Sequence, residues 1–238
     1  MSSLISLTKT SLQSSDGTLF IITMKNGENR IDTTFCQTMF TILDEIEAFC
    51  EEMDGTPAAL ITTSEGKFYS NGLDLEHALS TPGFFEDYYL ALMERFLTFR
   101  IPTVAALNGH AFAGGCMMAL AHDYRVMRSD RGFLCMNEVD IPSPLHPGMA
   151  ALVRAKMTPR TYRNCILQSH RFTAQDALDN QLVDVICPEG EVLSKAIELA
   201  TKWSGKAKAG EIYSQLKREM YTDAVHFLTV RGWGKAKL

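Results

Sequence analysis

The sequence has no apolar run of membrane-spanning length, so no membrane span is expected. It has no C-x-x-C pair. Its six cysteines, at positions 36, 50, 116, 135, 165 and 187, do not cluster with histidines at metal-ligand spacing. No metal site is therefore implied, and the cysteines read as buried, reduced thiols of an intracellular protein. Basic runs are missing until the last few residues, and the formal net charge is −5, which disfavours a nucleic-acid partner. The opening MSSLISLTKT lacks a basic stretch followed by an apolar core, so no secretory leader is expected. No segment is long and polar enough to read as disordered.

What is present is 46% hydrophobic content in 238 residues, enough for one large domain or one domain with a small appendage. GTLFIITM (17–24) reads as a strand and NGENRID as a turn. Asp32 or Thr33 can then cap a helix whose apolar positions Phe35, Met39, Ile42, Leu43, Ile46 and Phe49 recur every three or four residues. AALITTS (58–64) reads as a buried strand, and EGKFYSNGLDL as a glycine-containing loop. A helix follows with a wide apolar face, Phe84 to Leu97, suited to core or to the wall of an acyl pocket. IPTVAAL, YRVMRS, GFLCMNEVDI (132–141) and LVDVIC read as further strands, with PSPLHPG a rigid loop. Helices are expected at MAALVRAKM, at TPRTYRNCILQS with Pro159 in its first turn, and at TAQDALDNQ with Thr173 and Asp176 as a capping box. Strands alternate with helices throughout, so the class is α/β. Residues 191–238 read as a more charged helical segment after an α/β core of 1–190.

The stretch LNGHAFAGGCMMAL (107–120) sets glycines where a strand should hand over to a helix. A helix N-terminus carries unpaired N–H groups and partial positive charge, and glycine lets a ligand approach that backbone. The arrangement suits an anion or a developing oxyanion, and equally a tight turn with nothing bound.

Three segments, in order, resemble the enoyl-CoA hydratase/isomerase (crotonase) family: FYSNGLDL (68–75), AALNGHAFAGGCMMALAHDYRV (105–126) and FLCMNEVDI (133–141). A fourth, TAQDALDNQLVDVI, is similar to a family segment that carries glycine where this chain has Gln181. The resemblance covers most of residues 17–187. It implies a crotonase-like core of repeated ββα units with a helical C-terminal segment, a trimer or hexamer, and an acyl-CoA thioester as substrate. Coenzyme A belongs to that substrate, and no separate cofactor is implied. Carried over position by position, the thioester oxygen would be held by the backbone N–H groups of Leu73 and Gly114. Ser70, Asn71, Gly72, Leu73, Asp74, Gly114 and Met117 would line the substrate site. One such N–H donor is typically worth about 3 kcal/mol of barrier.

The hydratases of this family use two glutamates. Here the first position holds Met117 and the second Glu138. Met117 cannot position or deprotonate water. A lone carboxylate can still carry a proton from C2 to C4 of a 3-enoyl thioester. The resemblance therefore points to a Δ3,Δ2-enoyl-CoA isomerase with Glu138 as its acid and base, and Phe133, Leu134 and Met136 suggest an apolar setting for it. Asp74 is expected to brace its loop, and Asp123 to pair with Arg125 or a backbone N–H. His110 and His146 lie near the expected site, and Lys25, Arg30 and Lys67 are candidates to meet the CoA phosphates. Thioester hydrolysis, or acyl-CoA binding without turnover, remains an alternative reading. The ending Ala236, Lys237, Leu238 differs by one small residue from the peroxisomal address Ser-Lys-Leu. It implies an import receptor as partner and the peroxisomal matrix as location, which suits oxidation of unsaturated fatty acids.

Overall fold

The computed structural model describes residues 4–12, 16–141 and 144–230. The tripeptide 236–238 and two residues of the PSPLHPG loop lie outside them. The strands, in chain order, are β1 (Ile5–Ser11), β2 (Thr18–Met24), β3 (Ala58–Ser64), β4 (Phe68–Ser70), β5 (Thr103–Leu107), β6 (His110–Phe112), β7 (Tyr124–Arg128), β8 (Leu134–Cys135) and β9 (Val185–Cys187). The long strands form one sheet in the order β1-β2-β3-β5-β7-β9, and the short ones form a second, β4-β6-β8. Only the β1–β2 pair is antiparallel.

The main sheet is covered on both faces, and the two-residue period of the strands sorts their side chains. Phe20, Ile22, Met24, Leu60, Ala105 and Leu107 point into one core, and Leu19, Ala59, Ile61, Val104 and Ala106 into another. All seven residues of β3 are buried. Helix α1 (Thr33–Glu52) closes the first core with Phe35, Met39, Ile42, Leu43 and Ile46, and its cap is Asp32, which accepts from Phe35 N at 2.7 Å. Each of β3, β5 and β7 continues into a short strand and then helices. After β4 come α2 (Leu75–Ser80), a π-helix (Phe84–Leu90) and α3 (Ala91–Leu97). After β6 comes α4 (Gly114–Ala121), and after β8 comes α5 (Pro147–Ala155). This is the ββα repeat.

Helices α6 (Pro159–Gln168) and α7 (Ala174–Asp179) follow, with Thr173 and Asp176 forming the expected capping box. Of the C-terminal helices, α8 (Val192–Trp203) seals the second core with Val192, Ala196 and Ala200. α9 (Glu211–Met220) is held by a buried ion pair, Lys217 Nζ to Asp123 at 2.7 Å. α10 (Thr222–Thr229) buries Ala224 and Leu228 in the first core.

Two expectations change. The strand read over 132–141 is only Leu134–Cys135, because past Cys135 the chain turns, with Asp140 N bonded to Asn137 O at 3.1 Å. The helix read from Phe84 begins as a π-helix. The helix expected where the glycines end the strand runs from Gly114 to Ala121. As expected, the Asp123 carboxylate accepts from a backbone N–H, that of Thr103; it also accepts from Lys217, while the Arg125 guanidinium lies 3.7 Å from Asp184.

Gln181 has φ +60°, the left-handed conformation that its glycine counterpart would adopt without strain. Since that conformation costs an ordinary residue roughly 1–2 kcal/mol, partly offset by the chain entropy of glycine, Gln181→Gly is expected to stabilise by about 0.5–1 kcal/mol. Thermal unfolding at fixed pH checks this; a lower Tm in the variant would contradict it.

Candidate active site

Strands β4 and β6 lie side by side in the small sheet, and the turns that follow them face each other. After β4, Gly72 takes φ +79°; after β6, Ala113 takes φ 45° and ψ −120°. A Cβ built on Gly72 would lie 3.0 Å from Phe112 O and 3.2 Å from Gly114 N. A Cβ on Gly115 would overlap Ser70 O and sit 2.6 Å from Ser70 Cβ. Two loops from different repeats thus meet backbone to backbone, and only glycine allows it.

The backbone around this contact is largely satisfied. Ile31 N donates to Gly72 O at 2.9 Å, and Asp74 N donates to Ile31 O at 3.0 Å. The N–H groups of Leu73 and Gly114 donate to no acceptor among the described residues. Gly114 is the first residue of α4, where the helix dipole favours negative charge. The side chains expected at the substrate mostly hold the first loop. Ser70 Oγ donates to Asn29 O (2.7 Å) and accepts from Gly72 N (3.2 Å). Asn71 donates to Glu28 (3.0 Å), and Asp74 caps α2 by accepting from His77 N (3.0 Å). Arg30 Nη1 donates to Leu73 O (3.1 Å).

Met117 is fully buried one turn into α4. Above it stands Tyr89 from the π-helix, whose hydroxyl donates to Gly114 O at 3.2 Å and lies 3.4 Å from Met117 Sδ. The aromatic stripe hid this residue; the clue was that a buried phenol needs a polar partner.

Glu138 follows β8, whose Cys135 O accepts from Ala113 N at 2.8 Å, so its segment runs beside the glycine turn. Glu138 is 7% exposed, and its Oε2 has no partner among the described residues. Burial raises its pKa from 4.5 to about 7, against a smaller lowering by its own backbone N–H. The Tyr89 phenol is pushed well above its usual pKa by burial, and then by the charge of Glu138. Gly72, Leu73, Gly114, Met117, Tyr89 and Glu138 therefore share one neighbourhood.

The other candidates have different settings. His110 opens β6 and stacks on Phe112 at 5.3 Å. His146 caps α5 by accepting from Gly148 N at 3.1 Å. Lys25 pairs with Glu65 and Arg30 with Glu28, in half-exposed contacts that contribute little. Lys67 lies 5.2 Å from the centre of the Phe68 ring. Among the described residues no group of three or more His, Cys, Asp and Glu could hold a metal ion. None of the helices there is long and apolar enough to cross a membrane.

A family model described as Enoyl-CoA hydratase/isomerase matches residues 15–230. The chain belongs to the enoyl-CoA hydratase/isomerase family. It is 33% identical over 221 residues to "Enoyl-CoA delta isomerase 2, peroxisomal" of Arabidopsis thaliana, covering 87% of this chain and 90% of that one. The structure superposes on a probable enoyl-CoA hydratase of Mycobacterium tuberculosis with TM-score 0.80 at 22% identity, covering 95% and 92% of the two chains. It superposes on human mitochondrial delta3-delta2-enoyl-CoA isomerase with TM-score 0.77 at 21% identity, covering 95% and 91%. Both superpositions show the fold, which is the crotonase fold. Names of hydratases and isomerases both occur among these relatives, so the family alone does not select the reaction.

Proposed function

We propose that this protein is a Δ3,Δ2-enoyl-CoA isomerase. The observation that carries the reading is a single buried carboxylate, Glu138, sharing a site with two unspent backbone N–H groups, while the other acid position of the hydratases holds Met117. Glu138, ionised, removes a proton from C2 of a 3-enoyl thioester. The electron pair moves through the carbonyl to give a dienolate, whose oxygen accepts hydrogen bonds from the Leu73 and Gly114 N–H groups. Protonated Glu138 then returns the proton to C4, and the double bond ends at C2 in the trans form. With buried Met117 at the other acid position, the site lacks the second carboxylate with which the hydratases position and deprotonate water. The name of the Arabidopsis relative supports both the reaction and a peroxisomal location. We place the protein in β-oxidation of unsaturated fatty acids, acting as a homo-oligomer, trimer or hexamer. Purified protein should convert 3-hexenoyl-CoA to 2-hexenoyl-CoA. Binding of 3-hexenoyl-CoA with no turnover would overturn this reading in favour of a binding role, and release of free CoA would favour a hydrolase.

The raised pKa of Glu138 has two consequences of opposite sign. Catalysis needs the ionised base, so kcat/KM should rise with pH through an apparent pKa near 7. Stability runs the other way. The native carboxyl keeps its proton where the unfolded one, at 4.5, has lost it, so this stabilising contribution is complete below pH 4.5 and is lost as pH rises to about 7. A pH-independent kcat/KM between pH 5 and 8 would contradict the assignment of Glu138 as base.

A further inference from the structure

Beneath the site lies a row of three polar side chains with no exposed surface: Tyr69 on β4, Thr62 on β3 and His122 at the end of α4. Tyr69 Oη is 2.7 Å from Thr62 Oγ1, and Thr62 Oγ1 is 2.9 Å from His122 Nε2. His122 Nδ1 is 2.8 Å from Met118 O. The direction of every bond follows from chemistry. A carbonyl only accepts, so Nδ1 carries the proton. Burial drops the histidine pKa to about 3, so the ring is neutral and Nε2 accepts. Thr62 therefore donates to His122, and Tyr69 donates to Thr62.

This row joins the two loops that carry the unspent N–H groups, at the end remote from them. Ser70, next to Tyr69, packs against Gly115 in the first turn of α4. Tyr69, on the opposite side of the strand, reaches the last turn of α4 through Thr62 and His122. Strand β4 thus grips α4 at both ends. His122 O is held in turn by Arg125 Nη1 at 2.8 Å. With α4 fixed along its axis against β4, the gap between Gly114 N–H and Leu73 N–H is fixed as well.

We propose that Tyr69, Thr62 and His122 are positioning residues that set the spacing of the two carbonyl-binding N–H groups. None touches the substrate. The inference rests on the proposed oxyanion role of Leu73 and Gly114. An oxyanion needs both donors within a few tenths of an ångström, and a misplacement near 1 Å can cost roughly a hundredfold in rate.

Thr62→Val keeps the shape and removes the middle link. With 3-hexenoyl-CoA, kcat should fall roughly ten- to hundredfold with KM little changed, and Thr62→Ser should restore it. The second readout is the infrared carbonyl stretch of bound hexanoyl-CoA labelled with ¹³C at the thioester carbon. In the wild type it should lie below its solution frequency. In Thr62→Val it should move back toward that frequency, and in Thr62→Ser return to the wild-type position. A wild-type stretch equal to that in solution would overturn the oxyanion reading itself. A lowered wild-type stretch that Thr62→Val leaves unchanged, with or without a loss of Tm, would overturn the positioning role alone. Should Thr62→Val not fold, Tyr69→Phe, which keeps the Thr62–His122 bond, should shift kcat and the stretch in the same direction. No shift there would overturn the proposal equally.

Discussion

Glu138→Gln should lower kcat for 3-enoyl-CoA isomerisation by about 10³-fold or more, with KM nearly unchanged. Acid–base catalysis by a placed side chain contributes 10²- to 10⁴-fold, and in the proposed mechanism one carboxylate serves both proton transfers. Glutamine has the same shape and cannot take the proton. The burial that raises the Glu138 pKa to about 7 also keeps water from substituting for it. The variant should fold at least as well as the wild type, because it removes a carboxyl whose ionised form is penalised by burial. Its stability should also lose the decline between pH 4.5 and 7 described for Glu138. Kinetics with 3-hexenoyl-CoA and thermal unfolding across that range test both statements. Near-wild-type kcat would remove Glu138 from the mechanism. A loss of kcat together with loss of the folded signal would leave it a structural residue only.

Gly115→Ala should cost about 1–3 kcal/mol of stability and about a hundredfold in kcat. The added methyl would overlap Ser70 O, a backbone atom whose residue is tied by hydrogen bonds to Asn29 and Gly72. Ser70 cannot move aside alone, so α4 must shift, and Gly114 N shifts with it. Gly190→Ala is the matched control. A Cβ there meets nothing within 4 Å, and the variant should be neutral in both Tm and kcat. If Gly115→Ala keeps the wild-type Tm and kcat, the contact between the two loops is looser than described.

The long elements were legible because their periods are strong. β2 and β3 are unbroken or alternating apolar runs, and the α1 stripe recurs every three or four residues. What escaped was short or polar. β1 pairs along its whole length with β2, yet most of Ile5–Ser11 is exposed on a sheet edge, so no apolar pattern marks it. β4, β6 and β8 have three, three and two residues, too few to show a period. They exist because each lies against the next one, which sequence spacing alone does not show. The π-helix reads as ordinary helix because its aromatic residues fill a wide stripe in either geometry. The glycine turn stood out by its own residues and Glu138 through family likeness, but the polar row of Tyr69, Thr62 and His122 did not stand out at all. Its members lie seven and sixty residues apart, each looking like a single polar residue in a buried segment.

The two unspent donors of this site belong to the main chain. Replacing the side chain at 73 or 114 alters their surroundings but cannot delete the N–H itself, short of proline. Under the proposed function, the capacity to draw electrons from a thioester would therefore be shielded from most point mutation, whereas the fate of the resulting carbanion would depend on a few replaceable side chains such as those at 117 and 138. A lineage built on this scaffold can change which bond is made or broken by exchanging one or two residues. At every intermediate sequence it would keep the two main-chain donors.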